Sequence, residues 1–379
     1  MRNSTKDRRM EVKGMKMGMS PALSTYYGNV CANIAASGQF ILGNWTKTME
    51  LNASEDLGGE AIAYSCATDA TTAVLRAINC KVLIMPALAF SSSILAAENA
   101  GVHDLRFVDC DENGIKVDEL LWALDHTKGT KPVFLLSHFG GGMYPNSLAV
   151  CDIMDSYGGL VVEDFSHSWG AYQLPSDETK TRRAGTFGDI SIASLFATKP
   201  VHCGVGAIII DRFGITDTLR MMREYGRDNL HGTSILMHRG GSWRLSEMEA
   251  ALFCITHAKA PEERSNRIKL LRKYCDELPG MINAFDHGIV PNGYRAFYRT
   301  LYPEILTKFL KEKGISLVGK VYDDIVTASP IFAKYHEILP FAEKWCKTTI
   351  CLPLYADLKE EEQGYVIECV REFEQLSRQ

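Results

Sequence analysis

Between Ser65 and Asp211 the chain alternates short, continuous apolar runs with stretches whose apolar residues recur every three or four positions. Val82-Leu83-Ile84-Met85 stops at Pro86, and Leu105-Arg106-Phe107-Val108 stops at Asp109. Val133-Phe134-Leu135-Leu136 stops near His138, and Leu160-Val161-Val162 stops at Glu163. Ile190 to Leu195 and Ala207 to Ile210 follow. Runs this short, apolar at consecutive positions, are the pattern of strands buried on both faces. Between them, Ala70, Ala73, Val74, Ala77 and Ile78 fall on one face of a helix, with Thr68 or Asp69 as its N-terminal polar group. Strand–helix alternation predicts an α/β architecture with a mainly parallel central sheet.

After about Ala260 the texture changes. Ile305, Leu306, Phe309 and Leu310 mark a helix closed by Gly314, and Val366, Cys369, Val370, Phe373 and Leu376 mark a last amphipathic helix. This predicts a flexible leader over 1–25, a large domain over 26–258 and a smaller α+β domain over 259–379. The helix carrying Met248 to Ile255 reaches the boundary near Ala260-Pro261. A length of 379 residues, beyond the size at which one core keeps growing, agrees with two domains.

Composition removes several functions. A net charge of −5 argues against a general nucleic-acid surface. No apolar run approaches a membrane span, and the polar, basic N-terminus has no apolar core of a signal peptide. The 11 cysteines are scattered without a C-x-x-C pair, which predicts a reduced, cytoplasmic protein without a structural metal site.

The candidate chemistry lies between Leu160 and Lys199. Asp164 stands at the carboxyl end of a predicted buried strand, where open α/β sheets place ligands, although a lone aspartate there could equally cap a turn. Lys199 ends Ser-Leu-Phe-Ala-Thr-Lys between two apolar strands. Desolvated, it would have a lowered pKa and act as an amine nucleophile; most lysines instead stay solvated. Ser65-Cys66-Ala67-Thr68-Asp69 is a small-residue turn opening a helix, suited to a phosphate or to an ordinary cap. Phe90 could stack on a flat ring or pack in the core. His167 could meet a phenolic oxygen or be a structural histidine, and Ser194 offers a hydroxyl to phosphate. A carboxylate, an imidazole and a lysine in a serine-rich turn are the parts that hold pyridoxal phosphate. The lysine forms the Schiff base, and the aspartate keeps the pyridine nitrogen protonated.

Strings in order along nearly the whole chain resemble the DegT/DnrJ/EryC1/StrS family of pyridoxal-phosphate-dependent sugar aminotransferases, of the fold-type I (aspartate aminotransferase-like) class. Ser37 to Asn44 (SGQFILGN) is similar to S-G-x-x-x-x-G, Ser65 to Ala70 to S-G-T-D-A-L, and Pro86 to Phe90 to P-A-F-T-F. Glu163 to Gly170 (EDFSHSWG) resembles E-D-A-A-Q/H-A-x-G, and Gly185 to Ile190 (GTFGDI) resembles G-S-F-G-D-I. Ser194 to Lys199 resembles S-F-x-x-T-K, Ser242 to Glu247 (SWRLSE) resembles N-Y-R-M-S-E, and Leu352 to Tyr355 resembles L-P-L-Y/H.

The resemblance implies that Lys199 forms the Schiff base, Asp164 pairs with the pyridinium nitrogen, His167 meets the phenolic oxygen and Phe90 stacks on the ring. Ser65, Thr68, Asp69 (by its backbone N–H) and Ser194 would hold the phosphate. It implies a homodimer with shared active sites, in which the segment of Ser242 and Arg244 reaches the neighbour's cofactor; Ser242 stands where the family has Asn. The implied reaction is ping-pong transamination from glutamate or glutamine to a keto group of a nucleotide-linked sugar, in nucleotide-sugar, polysaccharide or antibiotic biosynthesis. The family's G-I-x-x-x-x-H-Y string is here GISLVGKVYDD, with Lys320 and no His, which points to an unusual ketosugar or a smaller phosphorylated or cyclitol ketone. Competing readings are a sugar dehydratase, in which histidine replaces the lysine, a non-catalytic cofactor-binding regulator, and an NAD enzyme, whose G-x-G-x-x-G is missing. Arg223, Arg227, His231 and His238 are candidates for substrate or interface contact, or for plain surface roles.

Overall fold

The computed structural model describes residues 10–127, 129–175, 181–228, 232, 234–320, 322–335 and 337–377. Its central sheet has seven strands: β1 (Glu60–Tyr64), β2 (Val82–Pro86), β3 (Asp104–Val108), β4 (Pro132–Ser137), β5 (Leu160–Asp164), β6 (Ile190–Ser194) and β7 (Ala207–Asp211). The order across the sheet is β1-β7-β6-β5-β4-β2-β3. β7 is antiparallel to both neighbours, and the remaining pairings are parallel, so six strands share one direction. The expected mainly parallel α/β sheet is present. β1 is an addition that the apolar runs did not reveal, since its EAIAY is short and opens on a glutamate.

Side-chain alternation splits the sheet between two cores. Ile62, Tyr64, Ile190, Ile192, Ala207 and Ile209 face one cluster. Ala61, Ala63, Ala193, Ile208 and Ile210 face the other. Helices α1 (Pro21–Ser37), α2 (Asn44–Leu57), α3 (Ala67–Ala77), α4 (Ser91–Ala100), α5 (Val117–Asp125), α6 (Ser147–Ser156) and α7 (Thr216–Arg223) accompany these strands. Helix α8 (Glu247–Glu277) runs for 31 residues with Pro261 inside it. It opens on a capping box of Ser246 and Glu249 and crosses the expected boundary at 258/259 without a break.

The smaller domain adds β8 (Ala296–Arg299) paired with β9 (Thr349–Leu352), α9 (Pro303–Glu312), α10 (Pro340–Thr348) and α11 (Glu360–Ser377). Its core combines Leu271 and Tyr274 of α8, Leu306 and Leu310 of α9, and Val366 and Val370 of α11. Two segments depart from the sequence reading. Within the expected leader, Val12 is fully buried in this small core and bonds to Gly314 and Ser316, because an apolar residue beside an open backbone edge gains by pairing. The leader also contributes the first residues of α1, begun by Ser20 as cap and Pro21 at N1. The second departure is the stretch 325–346, which sends Ile325, Phe332, Leu339, Ala342 and Cys346 into the large-domain core. Buried Asp109, just after β3, fastens it by accepting from Phe341 N at 2.8 Å and Ala342 N at 3.1 Å, the N-terminus of α10.

None of the 11 cysteines is in a disulfide. Among the described residues no helix is long and apolar enough to cross a membrane. His231 lies outside the described residues.

Candidate active site

The carboxyl ends of the six co-directional strands form one edge of the sheet, and the residues singled out by sequence gather there. Asp164 ends β5, opposite Ser137 of β4 and Ile192 of β6. Its Oδ2 accepts from Ser137 Oγ at 3.3 Å and its Oδ1 from Ser166 N at 2.9 Å. Ser166 Oγ in turn accepts from Ser194 N at 2.7 Å, which ties the exit of β5 to the exit of β6. One hydroxyl and one backbone N–H thus hold the carboxylate at the sheet edge, without a cationic partner of its own among the described residues.

Lys199 sits in the connection between β6 and β7. That connection is pinned by Leu195 N to Gly206 O at 2.8 Å, Ala197 N to Gly204 O at 2.9 Å and Lys199 N to Phe196 O at 2.9 Å. The Lys199 amine lies 5.0 Å from the centre of the Tyr294 ring. Burial lowers its pKa from the usual lysine value; Tyr294 and Asp164 pull it back up, and the Arg295 charge lowers it further. Among the described residues no carboxylate stands within ion-pair distance of it. Asp164 pairs in register with Ile192 of β6, and Lys199 follows the exit of β6, so the two residues leave the sheet from adjacent strands.

His167 is buried, and its Nδ1 accepts from Gly140 N at 3.2 Å. Burial, helped by the Lys199 and Arg295 charges, pushes its pKa well below that of a free imidazole. The ring is therefore neutral, and acceptance at Nδ1 assigns the remaining proton to Nε2. Its ring centre is 5.0 Å from that of Tyr294. Lys199, Asp164 and His167 are brought together.

The small-residue turn follows β1. Register places Tyr64 and Ser194 on either side of Ala207, so this turn and the Lys199 connection leave the sheet side by side. The N-cap of α3 is Cys66, not Thr68 or Asp69: its Sγ accepts from Asp69 N at 3.4 Å. Ser65 Oγ turns to the Asp69 carboxylate at 2.8 Å. Thr68 stands in the first turn of α3, whose N–H groups point out of the helix end. Phe90 is 56% exposed and immediately precedes α4, its ring 6.3 Å from that of Tyr322. Ser242 and Arg244 are not brought to Lys199. They bond to each other at 2.9 Å, Arg244 lies 5.3 Å over the Tyr225 ring, and the intervening Trp243 accepts at its carbonyl from Ser65 N at 2.8 Å. They thus flank the α3 turn of their own chain, on its outer side. Of the four further candidates, Arg223 pairs with Glu50 at 2.7 Å, inside the fold, and Arg227 lies 5.3 Å over the Tyr225 ring. Among the described residues nothing ties these or His238 to Lys199.

Sequence reasoning did not single out Tyr294, Asn292, Tyr322 or a role for Glu163. Tyr294 accepts from Arg295 Nη2 at 3.0 Å; burial would raise its pKa, but the Lys199 and Arg295 charges outweigh burial and lower it. Fully buried Asn292 donates from Nδ2 to the carbonyls of His167 and Trp169, at 2.8 and 3.0 Å, and accepts from Tyr294 N at 2.9 Å. It clasps the His167 turn to the small domain. Glu163 is fully buried and accepts from Gly185 N, Phe187 N, Gly188 N and Ser191 Oγ, while pairing with His138 Nε2 at 3.1 Å. Burial opposes its charge, yet His138 and the Gly185 and Gly188 N–H groups hold its pKa below the usual carboxylate value. The fixed spacing of an acidic residue directly before Asp164 and the GTFGDI loop was the available signal.

A lysine after β6 and an aspartate at the end of β5, beside the N-terminus of α3, stand where open α/β sheets bind ligands. Residues 26–371 match the DegT/DnrJ/EryC1/StrS aminotransferase family, and the chain belongs to it. It is 27% identical over 361 residues to a "Pleiotropic regulatory protein" of Geobacillus stearothermophilus, covering 91% of this chain and 93% of the relative. It is 25% identical over 358 residues to a "dTDP-3-amino-3,4,6-trideoxy-alpha-D-glucose transaminase" of Streptomyces venezuelae, covering 90% of each. Its fold is that of a DegT DnrJ EryC1 StrS aminotransferase from Brucella abortus, with TM-score 0.82, 21% identity, and coverage of 93% and 96%.

Proposed function

We propose that this aminotransferase uses pyridoxal phosphate to move an amino group from glutamate or glutamine to a keto group of a nucleotide-linked sugar. The observation that carries this is the placing of Lys199 after β6, its amine 5.0 Å from the Tyr294 ring that itself lies 5.0 Å from the His167 ring, with Asp164 at the end of adjacent strand β5. The residues fit the cofactor. The first turn of α3 and the Thr68 and Ser194 hydroxyls form a phosphate cradle, and Asp69 adds its N–H once released from the weak Cys66 sulfur. Ser65 braces that turn through Asp69. Asp164 offers a carboxylate to the ring nitrogen, neutral His167 offers its Nε2 proton to the phenolic oxygen, and Phe90 offers a face to the ring.

When bound, the cofactor supplies an electron sink and carries the amino group between half-reactions. Lys199 would hold it covalently and, once free, would move a proton as general base and then acid. A lowered pKa suits this, since the neutral amine is the form that attacks and accepts a proton, and an ammonium of lowered pKa returns it readily. Asp164 keeps the ring nitrogen protonated. Relatives whose names state dTDP-, UDP- and GDP-linked sugars support a nucleotide-linked acceptor. A cytoplasmic homodimer completes the reading. Its support is the half-exposed Ser242–Arg244 segment beside the α3 turn, with apolar Ile235, Leu236 and Met237, about three-fifths exposed each.

The test is optical. Protein loaded with pyridoxal phosphate should show a visible band that glutamate or glutamine bleaches, and borohydride followed by peptide mapping should place the adduct on Lys199. The name of the Geobacillus relative favours one second reading, a cofactor-binding regulator. A band that forms on Lys199 but ignores every amino donor would favour that reading over transamination.

A further inference from the structure

A cavity of about 150 Å³ lies between α8 and the turn that follows His167. His257, Ala260, Pro261, Arg264 and Arg267 recur every three or four residues, so one face of α8 supplies one wall. Gly170, Pro200 and Asn292 stand in the other. Each of these three lies within three residues of His167, Lys199 or Tyr294. Thr68, Asp164, Ser194 and Lys199 do not line the space, so it is separate from the cradle at α3.

Three guanidinium groups, of Arg183, Arg264 and Arg267, and one carboxylate, of Asp56, line this cavity. Asp56 is already committed. It accepts from Trp169 Nε1 at 3.0 Å and from Arg183, and it pairs with His257 Nε2 at 3.3 Å. Arg264 donates from Nη1 to Gly170 O, and its buried Nε has no partner among the described residues. Arg267 is more than nine-tenths buried. Its Nη1 reaches Glu263 Oε2 at 3.2 Å, while Nε and Nη2 have no partner among the described residues. Those two atoms form one edge of the planar fork, the edge that grips a carboxylate or a phosphate with two parallel bonds. Burial pulls the Arg267 pKa below the usual guanidinium value, and Glu263 restores only part of the difference. Arg267 and Pro200 also border a second space of about 170 Å³, beside His202 and Lys199, which Arg264 does not line.

We propose that the space shared by Arg264 and Arg267 binds one small oxyanion, of the size of inorganic phosphate, apart from the phosphate of the cofactor. Arg267 takes two of its oxygens with the Nε–Nη2 edge, and Arg264 Nε takes a third. The volume equals about five water-sized groups at ~30 Å³ each, which is room for a tetrahedral oxyanion. It is below the roughly 300 Å³ at which ligand-sized pockets begin, so a nucleotide is too large. Bound there, the anion ties α8 just past Pro261 to the turn of His167 and to the exit from Lys199. It braces the site without touching the reacting atoms.

The test uses cofactor-loaded protein, whose visible band reports that the α3 cradle is filled. Calorimetry and melting curves follow titration with phosphate, with selenate and, at matched ionic strength, with chloride. Phosphate and selenate should each saturate one site per chain and raise the melting temperature. Chloride, which cannot span the fork, should bind at least about 10-fold more weakly. Arg267→Met should weaken phosphate about 10- to 100-fold, and Arg267→Lys should recover part of the loss. Arg264→Met, which leaves the more buried guanidinium in place, should weaken phosphate about 3- to 10-fold and decides the matter if Arg267→Met does not fold. In crystals soaked with selenate, the anomalous peak should lie between Arg264 and Arg267. No saturation in the parent protein, equal affinity for chloride, or unchanged phosphate affinity in Arg264→Met would overturn the proposal. So would a selenate peak confined to the His202 side of Arg267 or to Thr68 and Ser194. Failure of the aminotransferase reading looks different: no amino donor bleaches the band, while the selenate peak still locates the anion.

Discussion

At the scale of single residues, burial decides the charge of the key groups. His167 is neutral in the fold because its folded pKa lies well below the free value of 6.5. Below that value the unfolded chain takes up a proton that the folded chain refuses, so acid favours unfolding through this residue. In the cofactor-free protein, His167→Gln should lose less stability than the parent between about pH 7.5 and about pH 5.5, as read by urea midpoints. An equal loss in both proteins would contradict the burial argument. Glu163 shows the opposite sign. Its folded pKa is depressed, so its contribution is present above 4.5 and lost as pH falls through the folded value. Glu163→Ala should cost about 3–5 kcal/mol at neutral pH, because His138 and three backbone N–H groups lose their acceptor. Lys199→Ala should lower the rate of donor-driven bleaching about 10²- to 10⁴-fold in stopped-flow measurements with added cofactor.

At the scale of elements, the strands were legible because a buried parallel strand writes its position as an unbroken apolar run, ending at Pro86, Asp109 and Asp164. β1 escaped since its apolar run, Ala61 to Tyr64, is half alanine, a residue as common in helices as in strands. Lys199, Asp164 and His167 were legible because they lie near one another in the chain, at the exits of adjacent strands. Tyr294 and Asn292 were not. They reach the site from beyond α8, and no local pattern records that the chain returns. That return depends on glycine. Gly141 has φ +103°, and a Cβ there would stand 2.5 Å from Asn292 Oδ1. Gly141→Ala should destabilise the protein by about 1–3 kcal/mol and slow donor bleaching together, because strain and a lost clasp act on the same turn. A stable variant with normal bleaching would show that the clasp does not position His167.

At the scale of the whole molecule, the domain boundary drawn from texture does not match the packing. Residue 12 belongs with the small core and residues 325–346 with the large one. Chain order cannot show this, because amphipathic segments look alike whichever core receives them. Assembly is the remaining question at this scale. Leu236 is 65% exposed between Ile235 and Met237, next to the segment of Ser242 and Arg244. Leu236→Asp should shift sedimentation from a dimer to a monomer and reduce turnover with it. A variant that stays dimeric would move the interface elsewhere on the surface.

Pro261 gives α8 a mechanical character. Lacking an N–H, it leaves the carbonyl one turn back without its helical donor, so the rod is softest there. The part beyond it, about 24 Å long at 1.5 Å per residue, carries the smaller domain like a boom on a pivot. A tilt of about 5° would sweep its tip through about 2 Å, more than the ångström or so of misplacement that is enough to stall chemistry. Any flexing of this rod would be felt at the sheet edge through Asn292 and the stretch 325–346, which tie the smaller domain back to the large core.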